Sequence, residues 1–529
     1  MTEDWRPRTL GDVLADAVAA RGEAEALVTP TARLTHAALA READRVARAL
    51  LALGVRRGDF VGLLMGNDEG WVSVFYGAAL IGAVTVPLNT RWKPPEMAFA
   101  LRRAGCVALI AAGRFLKLDF AAMLREAEPA LDASLPGEAV PTLRHVVVTG
   151  RDVPRAARSW DAFVARAAAV DDAALAAAKA AVRDDDTLLI QFTSGTTSFP
   201  KGVILTHHNM LRDAHAAALR IGVVPEDRYF NCRPFFHVAG STLSLLVSLV
   251  TPCTLVTLPT FEAGAALELL ERERCTLTSG NDSLFQMMLA HADFPRRRLY
   301  LRGGWAAAGP ATMRRIMEEM GARDVCVAYG LSEASPNVVM TDWRDPPEIR
   351  IEGLAKPHPG VEVRIAGDGE IQVRGWNVMR GYLGDPAATA AAFTEDGWLR
   401  TGDLGALTPD GRLRMVGRLK DVIRVGGENM APAELEEVLL GHPDVELAQV
   451  VGLPDERLGE VPVAFLTLRA GGTATEAALL DWLRPKVANF RMPRHLRIVP
   501  DFEPIGMTAS GKVQKAKLRD HARGLFGPA

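Results

Sequence analysis

The chain has 529 residues, of which 48% are hydrophobic and 24% are charged. This is the composition of an ordinary globular protein, and the length predicts two or more domains because single hydrophobic cores stop growing well below it. Lys and Arg number 61 against 64 Asp and Glu, for a formal net charge of -3. The charge balance therefore gives no indication of a nucleic-acid-binding protein.

The cysteines and the apolar stretches indicate the compartment. Five cysteines are scattered along the chain without C-x-x-C spacing: Cys106, Cys232, Cys253, Cys275 and Cys326. They predict neither a zinc site nor a disulfide framework, and they are typical of a reducing compartment. The N-terminus lacks the pattern of a signal peptide, and Ser, Thr and Pro interrupt the apolar stretch 241–258, which favours a buried helix followed by a strand over a membrane span. We therefore expect a cytoplasmic protein with no transmembrane segment.

Residues 1–190 alternate amphipathic helices with short apolar strands. The alanine-rich run 35–53 predicts a helix, residues 60–65 and 83–88 predict buried strands, and residues 154–182 predict surface helices. No long-period repeat is present. This alternation predicts an α/β fold with largely parallel sheets.

The run 188–192 predicts another strand, and a loop of unusual chemistry follows it. Residues 193–202 read Thr-Ser-Gly-Thr-Thr-Ser-Phe-Pro-Lys-Gly. Glycines let backbone N–H groups turn inward, hydroxyls donate to oxygens and a lysine adds positive charge, so the loop suits a triphosphate. A Walker A loop is excluded because Pro200 precedes Lys201 and Gly202 follows it. The alternative is a polar surface loop.

Five further segments carry polar or glycine-rich patterns: residues 234–240, 329–333, 398–403, 417–429 and 506–515. The last contains G-x-x-x-x-G-K, but Val513 replaces the Ser or Thr of a Walker A loop, and only 17 residues follow Lys512, too few for a nucleotide domain. Beyond residue 375 turns and short strands predominate, and Pro432 suits the first turn of a helix over 433–438. We place a domain boundary at residues 418–420.

Together the six segments resemble the motifs of the adenylate-forming enzymes (AMP-dependent synthetases and ligases), which include the acyl-CoA synthetases. The loop 193–202 resembles the family pattern TSGTTGxPKG, with Ser198 in place of a glycine. The stretches 327–330, 356–363 and 374–382 resemble the medium- and long-chain fatty acyl-CoA synthetases. The hairpin 364–371 is shorter than usual in the family, which we interpret as a surface deletion.

The resemblance implies a fold and a division into domains. It implies a large N-terminal AMP-binding domain over residues 1–418, built of parallel-sheet α/β subdomains and a small barrel-like part. A hinge at 419–420, with Lys420 in the hinge position, joins this domain to a small, mobile α+β C-terminal domain over residues 421–529.

The resemblance also implies the site residues. The ATP/AMP-binding set is Thr193, Ser194, Gly195, Thr196, Thr197, Lys201, Ala308, Gly309, Pro310, Tyr329, Gly330, Ser332, Asp403, Arg418 and Lys512. The catalytic set is Lys512, Glu333, Lys201 and Ser332, and the set facing the acid and CoA is His237, Gly240, Gly304, Trp305, Gly426 and Gly427. By resemblance, Tyr329 stacks on adenine, Asp403 and Arg418 contact ribose, Ser332 contacts phosphate and Glu333 holds Mg²⁺. The alternatives are a core-packed imidazole at His237 and a core-packed indole at Trp305.

The implied reaction is ATP-dependent acid–CoA ligation. A carboxylic acid, expected to be a fatty acid, reacts with ATP to give acyl-AMP and pyrophosphate, and CoA then takes the acyl group and releases AMP. Loading of the acyl group onto a carrier protein is one alternative. An inactive nucleotide-binding scaffold is another, although Lys201, Glu333, Asp403, Arg418 and Lys512 are all present. The resemblance also admits a homodimer.

Overall fold

The structure is a computed structural model that describes residues 5–193, 200–507 and 513–526. Its α-helices are Leu10–Arg21, His36–Ala52, Glu69–Leu80, Pro94–Ala104, Phe120–Ala127, Trp160–Val164, Asp172–Ala181, His207–Ile221, Val238–Gly240, Val247–Val250, Ala263–Arg272, Asp282–Ala290, Pro310–Glu318, Pro347–Ile351, Pro386–Ala392, Pro432–Leu440, Glu476–Leu483, Glu503–Gly506 and Lys515–Phe526. Short 3₁₀ turns span Pro129–Asp132, Ala165–Ala169, Phe294–Arg296, Ser332–Ala334, Leu419–Asp421 and Asn489–Arg491, and Ser241–Leu246 is a π-helix.

Among the described residues, nine strands form the largest sheet. In spatial order they are Lys356–Pro357, Asn337–Met340, Asp324–Gly330, Gly303–Ala307, Leu277–Asn281, Arg228–Asn231, Thr254–Thr257, Glu25–Val28 and Arg33–Thr35. The strands from Asp324–Gly330 through Glu25–Val28 are parallel, and the outer pairs are antiparallel.

A second sheet has seven strands within the described chain. Their order is Lys201–Thr206, Thr187–Thr193, Val84–Pro87, Phe60–Leu64, Ala108–Ala112, His145–Thr149 and Arg158–Ser159. Every pair is parallel except the first. The prediction of largely parallel sheets is confirmed for these two sheets, and the chain has a mixed α/β fold.

The remaining sheets are mainly antiparallel. A four-stranded sheet contains Val361–Ile365, Glu370–Gly375, Leu399–Leu407 and Leu413–Arg418, which is the short barrel-like part. A fifth strand, His495–Ile498, joins the sheet of Glu428–Met430, Ile423–Val425, Gly459–Leu468 and Val445–Asp455. Arg114–Phe115 and Leu118–Asp119 form a small hairpin.

The local predictions for the N-terminal half are largely confirmed. The run 35–53 forms the helix His36–Ala52, which Thr35 caps by accepting a hydrogen bond from the N–H of Ala38. Residues 60–65 and 83–88 contain the strands Phe60–Leu64 and Val84–Pro87. Residues 154–182 contain two helices and a 3₁₀ turn that leave most side chains exposed.

The apolar stretch 241–258 is a buried helical segment followed by the strand Thr254–Thr257, as predicted. Its first turn and a half is a π-helix rather than an α-helix. Within the described ranges no helix is both long and apolar enough to cross a membrane. All five cysteines are free and buried.

The residues after Ile423 have hydrophobic clusters of their own. One cluster includes Ile423 and Leu435, and another includes Phe465 and Phe502. Pro432 occupies the first turn of the helix Pro432–Leu440, as predicted.

Candidate functional site

Tyr329, Asp403 and Arg418 form one polar cluster, here called the Asp403 cluster. Tyr329 lies near the end of the strand Asp324–Gly330, and its hydroxyl donates to Oδ2 of Asp403 at 2.9 Å. Asp403 and Arg418 are opposite each other on adjacent antiparallel strands, with Arg418 Nε 3.3 Å from Asp403 Oδ1. The cluster therefore joins the large parallel sheet to the four-stranded sheet.

The surroundings of the Asp403 cluster fix which of its groups donate hydrogen bonds and which accept them. Asp403 is only 3% exposed, and its own N–H donates to the hydroxyl of Thr401 at 3.1 Å. Burial and then the nearby Asp403 carboxylate raise the pKa of Tyr329 well above its ordinary value, so the phenol stays protonated and donates. A buried carboxylate held this way is a suitable acceptor for hydroxyl groups.

Lys201, Glu333 and Tyr382 form a second cluster, here called the Glu333 cluster. The Tyr382 hydroxyl donates to Oε1 of Glu333 at 2.8 Å, and Lys201 Nζ lies 4.8 Å from the centre of the Tyr382 ring. Burial, followed by the charge of Glu333, raises the pKa of Tyr382, so this phenol also remains a donor. One tyrosine thus contacts a carboxylate and an ammonium group.

The backbone of residues 379–383 holds this cluster together. The N–H of Met379 donates to the carbonyl of Glu333 at 2.8 Å, and the N–H of Leu383 donates to the carbonyl of Gly202 at 2.7 Å. Val203 and Tyr382 form an antiparallel bridge between these contacts. The edge strand Lys201–Thr206 is thereby tied to the turn that carries Glu333 and Ser332.

The Glu333 carboxylate fits the requirement of Mg²⁺ for hard oxygen ligands. No group of three or more His, Cys, Asp or Glu side chains suitable for a metal occurs in residues 5–193, 200–507 and 513–526. Mg²⁺ commonly uses one or two protein carboxylates and takes its other ligands from phosphates and water. A single half-buried carboxylate is consistent with that mode of binding.

The predicted nucleotide loop at residues 308–310 is held by a residue that the sequence did not single out. The N–H of Gly309 donates to both carboxylate oxygens of Asp282 at 3.3 Å, and Pro310 begins the helix Pro310–Glu318. Burial raises the pKa of Asp282 to about 6. Asp282 follows the strand Leu277–Asn281 and starts the next helix, a position that its sequence context could have indicated.

The residues predicted to face the acid lie on the large sheet (Gly304 and Trp305) and at the start of the helical segment that packs on it (His237 and Gly240). Trp305 is 2% exposed, and its indole N–H donates to the carbonyl of Leu243 at 3.3 Å. Gly240 is packed so tightly against the carbonyl of Pro234 that no side chain could fit there. His237 accepts the N–H of Ala239 at 3.1 Å and caps the helix Val238–Gly240. Both core-packing alternatives thus remain compatible with these contacts.

Other predicted residues lie outside this polar region or outside the described chain. Gly426 and Gly427, with φ of 59° and 93°, form the turn between Ile423–Val425 and Glu428–Met430. Lys420 is exposed in the turn Leu419–Asp421. Thr193 pairs with Lys201 across the base of the predicted phosphate loop. The positions outside the described residues are Ser194, Gly195, Thr196, Thr197, Ser198 and Lys512.

Sequence reasoning missed Tyr382, Asp282 and Arg233. Tyr382 lay in the stretch 374–382 that supported the resemblance, but no role was assigned to it. Arg233 immediately precedes the segment 234–240, and a charged residue in an apolar run was the available signal.

Comparison with known proteins shows the family to which the chain belongs. The family of AMP-binding enzymes matches residues 14–383, and the C-terminal domain of AMP-binding enzymes matches residues 434–512. The chain is 39% identical to a methyl-dioxo-octahydroindenyl-propanoyl:CoA ligase of Mycobacterium tuberculosis, over 94% of this chain and 95% of that protein. It is 33% identical to the mitochondrial medium-chain acyl-CoA ligase ACSF2 of Rattus norvegicus, over 97% and 87% respectively.

A solved structure matches over nearly the whole chain. The anthranilate CoA ligase AuaEII in complex with anthranoyl-AMP superposes with a TM-score of 0.87 at 26% identity, covering 99% of both chains. The chain therefore belongs to the AMP-binding enzymes, as an AMP-forming acid–CoA ligase close to the acyl-CoA synthetases.

Proposed function

We propose that this ligase binds ATP across the two clusters, with the Asp403 cluster on the nucleoside and the Glu333 cluster on the phosphates. The observation that carries the proposal is the direct contact between Tyr329, Asp403 and Arg418, which come from three separate strands. Asp403 accepts from ribose hydroxyls, Arg418 contacts ribose and Tyr329 presents its ring to adenine. Ala308, Gly309, Pro310 and Gly330 complete this side of the site.

The phosphate side needs positive charge because adenylation brings two anions together. A carboxylate oxygen of the acid attacks the α-phosphorus of ATP, and pyrophosphate leaves. Lys201, at the end of the loop, and Lys512 stabilise the charge that develops in this step. Ser332 donates its hydroxyl to phosphate. Mg²⁺, held by Glu333, supplies further charge neutralisation when it is bound.

The second step transfers the acyl group to CoA. The thiol sulfur attacks the acyl carbon, and AMP leaves with the electrons of the broken bond. We propose that the boundary at residues 418–420 separates two domains, with Lys420 as the hinge about which residues 421–529 turn. Gly426 and Gly427 then leave space for the CoA arm, because their exposed turn carries no side chains.

The acid site is proposed to lie against Gly304 and Trp305, with His237 and Gly240 at its entrance. The relatives named for a medium-chain acid and for a bicyclic propanoate support a medium-sized acid over a very small one.

We also propose a cytoplasmic location and a homodimer, which fractionation and light scattering would test.

The reaction is tested by following pyrophosphate and AMP with and without CoA across a panel of carboxylic acids. Lys512→Ala should slow adenylation about a hundredfold while sparing conversion of supplied acyl-AMP to thioester. Lys517→Ala, which alters an exposed lysine on the helix Lys515–Phe526, is the matched control. An equal loss in both half-reactions would show that Lys512 is structural. AMP formation that needs a carrier protein instead of CoA would show that CoA is not the acyl acceptor.

A further inference from the structure

Arg233 is a buried cation, and two of its three side-chain nitrogens lack hydrogen-bond partners among the described residues. Arg233 is only 6% exposed, and its Nε and Nη2 atoms have no hydrogen-bond partner within the described part of the chain. The guanidinium group lies 4.4 Å from the centre of the Trp305 ring. Burial lowers the pKa of Arg233, and no carboxylate is among the described groups that raise it.

Arg350 shows how the same fold satisfies a buried guanidinium group elsewhere. Arg350 is 4% exposed, and it donates to the carbonyl oxygens of Asp345 at 2.9 Å, Arg323 at 2.6 Å and Val325 at 3.2 Å. Buried charges are normally paired or fully hydrogen-bonded because leaving them unpaired is strongly unfavourable. Arg233 departs from this rule and Arg350 follows it.

The surroundings of Arg233 are also more polar than an alkyl chain requires. The Tyr229 hydroxyl donates to the carbonyl of Leu243 at 2.8 Å, and the hydroxyls of Ser244 and Ser279 lie 3.4 Å apart. These side chains lie beside Trp305, on the strands and helical segment that form the proposed acid site.

We propose that Arg233 binds an oxygen at the distal end of the substrate, so that the preferred acids carry a ketone or a second carboxylate remote from the reacting carboxyl group. Such an oxygen supplies the acceptor that Nε and Nη2 lack. Because a buried donor left unpaired penalises the wrong ligand, the pocket then rejects plain alkyl acids of the same length. This inference rests on the proposed location of the acid beside Trp305.

The test compares matched acids with the wild-type ligase. Hexanoate, octanoate and decanoate are assayed beside their terminal methyl-ketone and ω-carboxylate counterparts, and kcat/KM is taken from CoA-dependent pyrophosphate release. We expect one oxygen-bearing series to exceed the plain series on the order of a hundredfold at its best length. The ketone and dicarboxylate arms identify which oxygen Arg233 takes.

Variants attribute that preference to Arg233. Arg233→Met should remove the preference, improve the plain acids and leave the melting temperature unchanged or higher, because it removes an unpaired buried charge. Arg233→Lys should keep part of the preference for the dicarboxylates, since the charge remains. Arg350→Met, the matched control, should lower the melting temperature and leave the ranking of acids as in the wild type.

The outcomes separate this inference from the proposed function. A wild type that ranks plain acids equal to or above the oxygenated ones would overturn the inference and leave the ligase assignment intact. An Arg233→Met variant that keeps the preference for oxygenated acids would also overturn the inference. So would an Arg233→Met variant that is less stable but ranks the acids as the wild type does, because Arg233 would then pair with water alone. Absence of pyrophosphate release with every acid would overturn the proposed function as well.

Discussion

Tyr382 contacts both charged side chains of the Glu333 cluster through different parts of its phenol. The hydroxyl donates to Glu333, whereas the ring face lies beneath the ammonium group of Lys201. A hydrogen bond to a charged group and a cation–π contact each contribute on the order of 1 kcal/mol or more. Tyr382 therefore orients both Glu333 and Lys201, the two side chains that we propose face the phosphates.

Replacing Tyr382 should separate these two contacts. Tyr382→Phe keeps the ring beneath Lys201 and should slow adenylation about tenfold while raising the Mg²⁺ concentration needed for half-maximal rate. Tyr382→Leu also removes the ring and should slow adenylation further, to about a hundredfold in all. Pyrophosphate release and calorimetric titration of Mg-ATP measure the two effects.

The control for these variants is Tyr300→Phe. Tyr300 also carries a cation on its ring, from Arg274 and Arg298, but it belongs to neither cluster. A Tyr382→Phe enzyme with wild-type rates at every Mg²⁺ concentration would refute the positioning role.

At the scale of elements, the strand Gly303–Ala307 leaves no room for a side chain at Gly304. Gly304 has φ of 128° and pairs with Thr278 of the strand Leu277–Asn281. A Cβ atom there would lie far inside the contact distance of the Thr278 carbonyl oxygen. Only glycine lets these two strands meet where the acid and the nucleotide are proposed to join.

Gly304→Ala should therefore destabilise the fold by about 3 kcal/mol or more, because both the backbone angle and the packing oppose a side chain. Gly309→Ala is the matched control, since a Cβ there meets no atom within 4 Å. It should change stability by less than about 0.5 kcal/mol. Denaturant midpoints compare the two variants, and equal midpoints would show that the strand can shift to make room.

Asp282 links the helix Asp282–Ala290 to the loop at Gly309, and its ionisation predicts a pH dependence. The pKa of Asp282 is about 6 in the folded state, above its ordinary value of 3.8. Between pH 3.8 and pH 6 the carboxyl group therefore holds a proton in the folded state that it has lost in the unfolded state. The group's contribution to stability is thus greatest below pH 3.8 and is lost as pH rises through 6. At neutral pH the ionised Asp282 carboxylate lowers the free energy of unfolding by up to about 3 kcal/mol.

Asp282→Asn removes that titration. The stability of the variant relative to the wild type should improve by about 1.4 kcal/mol between about pH 5 and pH 8, as measured by denaturant unfolding at each pH. Its absolute stability also reflects the altered hydrogen bonds to Gly309, so the slope is the informative quantity. Parallel profiles for the two proteins would contradict a raised pKa.

At the scale of the whole molecule, the residues on either side of Lys420 pack into separate hydrophobic clusters. The two parts touch at several places, and at one of them Arg91 Nη1 donates to the carbonyl of Met507 at 3.3 Å. The proposed second step requires residues 421–529 to turn relative to the rest of the chain.

Lys420→Pro should therefore uncouple the two steps. A fixed φ at the hinge restricts rotation, so acyl-AMP should form and accumulate while thioester formation slows by about tenfold or more. Lys420→Ala removes the charge but not the rotation and should behave like the wild type. Rapid-quench measurement of acyl-AMP distinguishes the variants, and an unchanged overall rate in Lys420→Pro would place the hinge elsewhere.

The sequence alone determined the family, the parallel α/β organisation, the helix at Pro432 and most of the residues in the two clusters. These features depend on local patterns: glycines and hydroxyls in a short loop, apolar periodicity, and motifs of five or six neighbouring residues. Tertiary structure decided which distant groups meet. Tyr382 and Glu333 are 49 positions apart, and Arg233 stacks on Trp305 only because the strand Gly303–Ala307 packs beside the segment that follows Arg228–Asn231. Contacts of this kind depend on sheet order and burial, which the packing of the whole chain sets and no local pattern encodes.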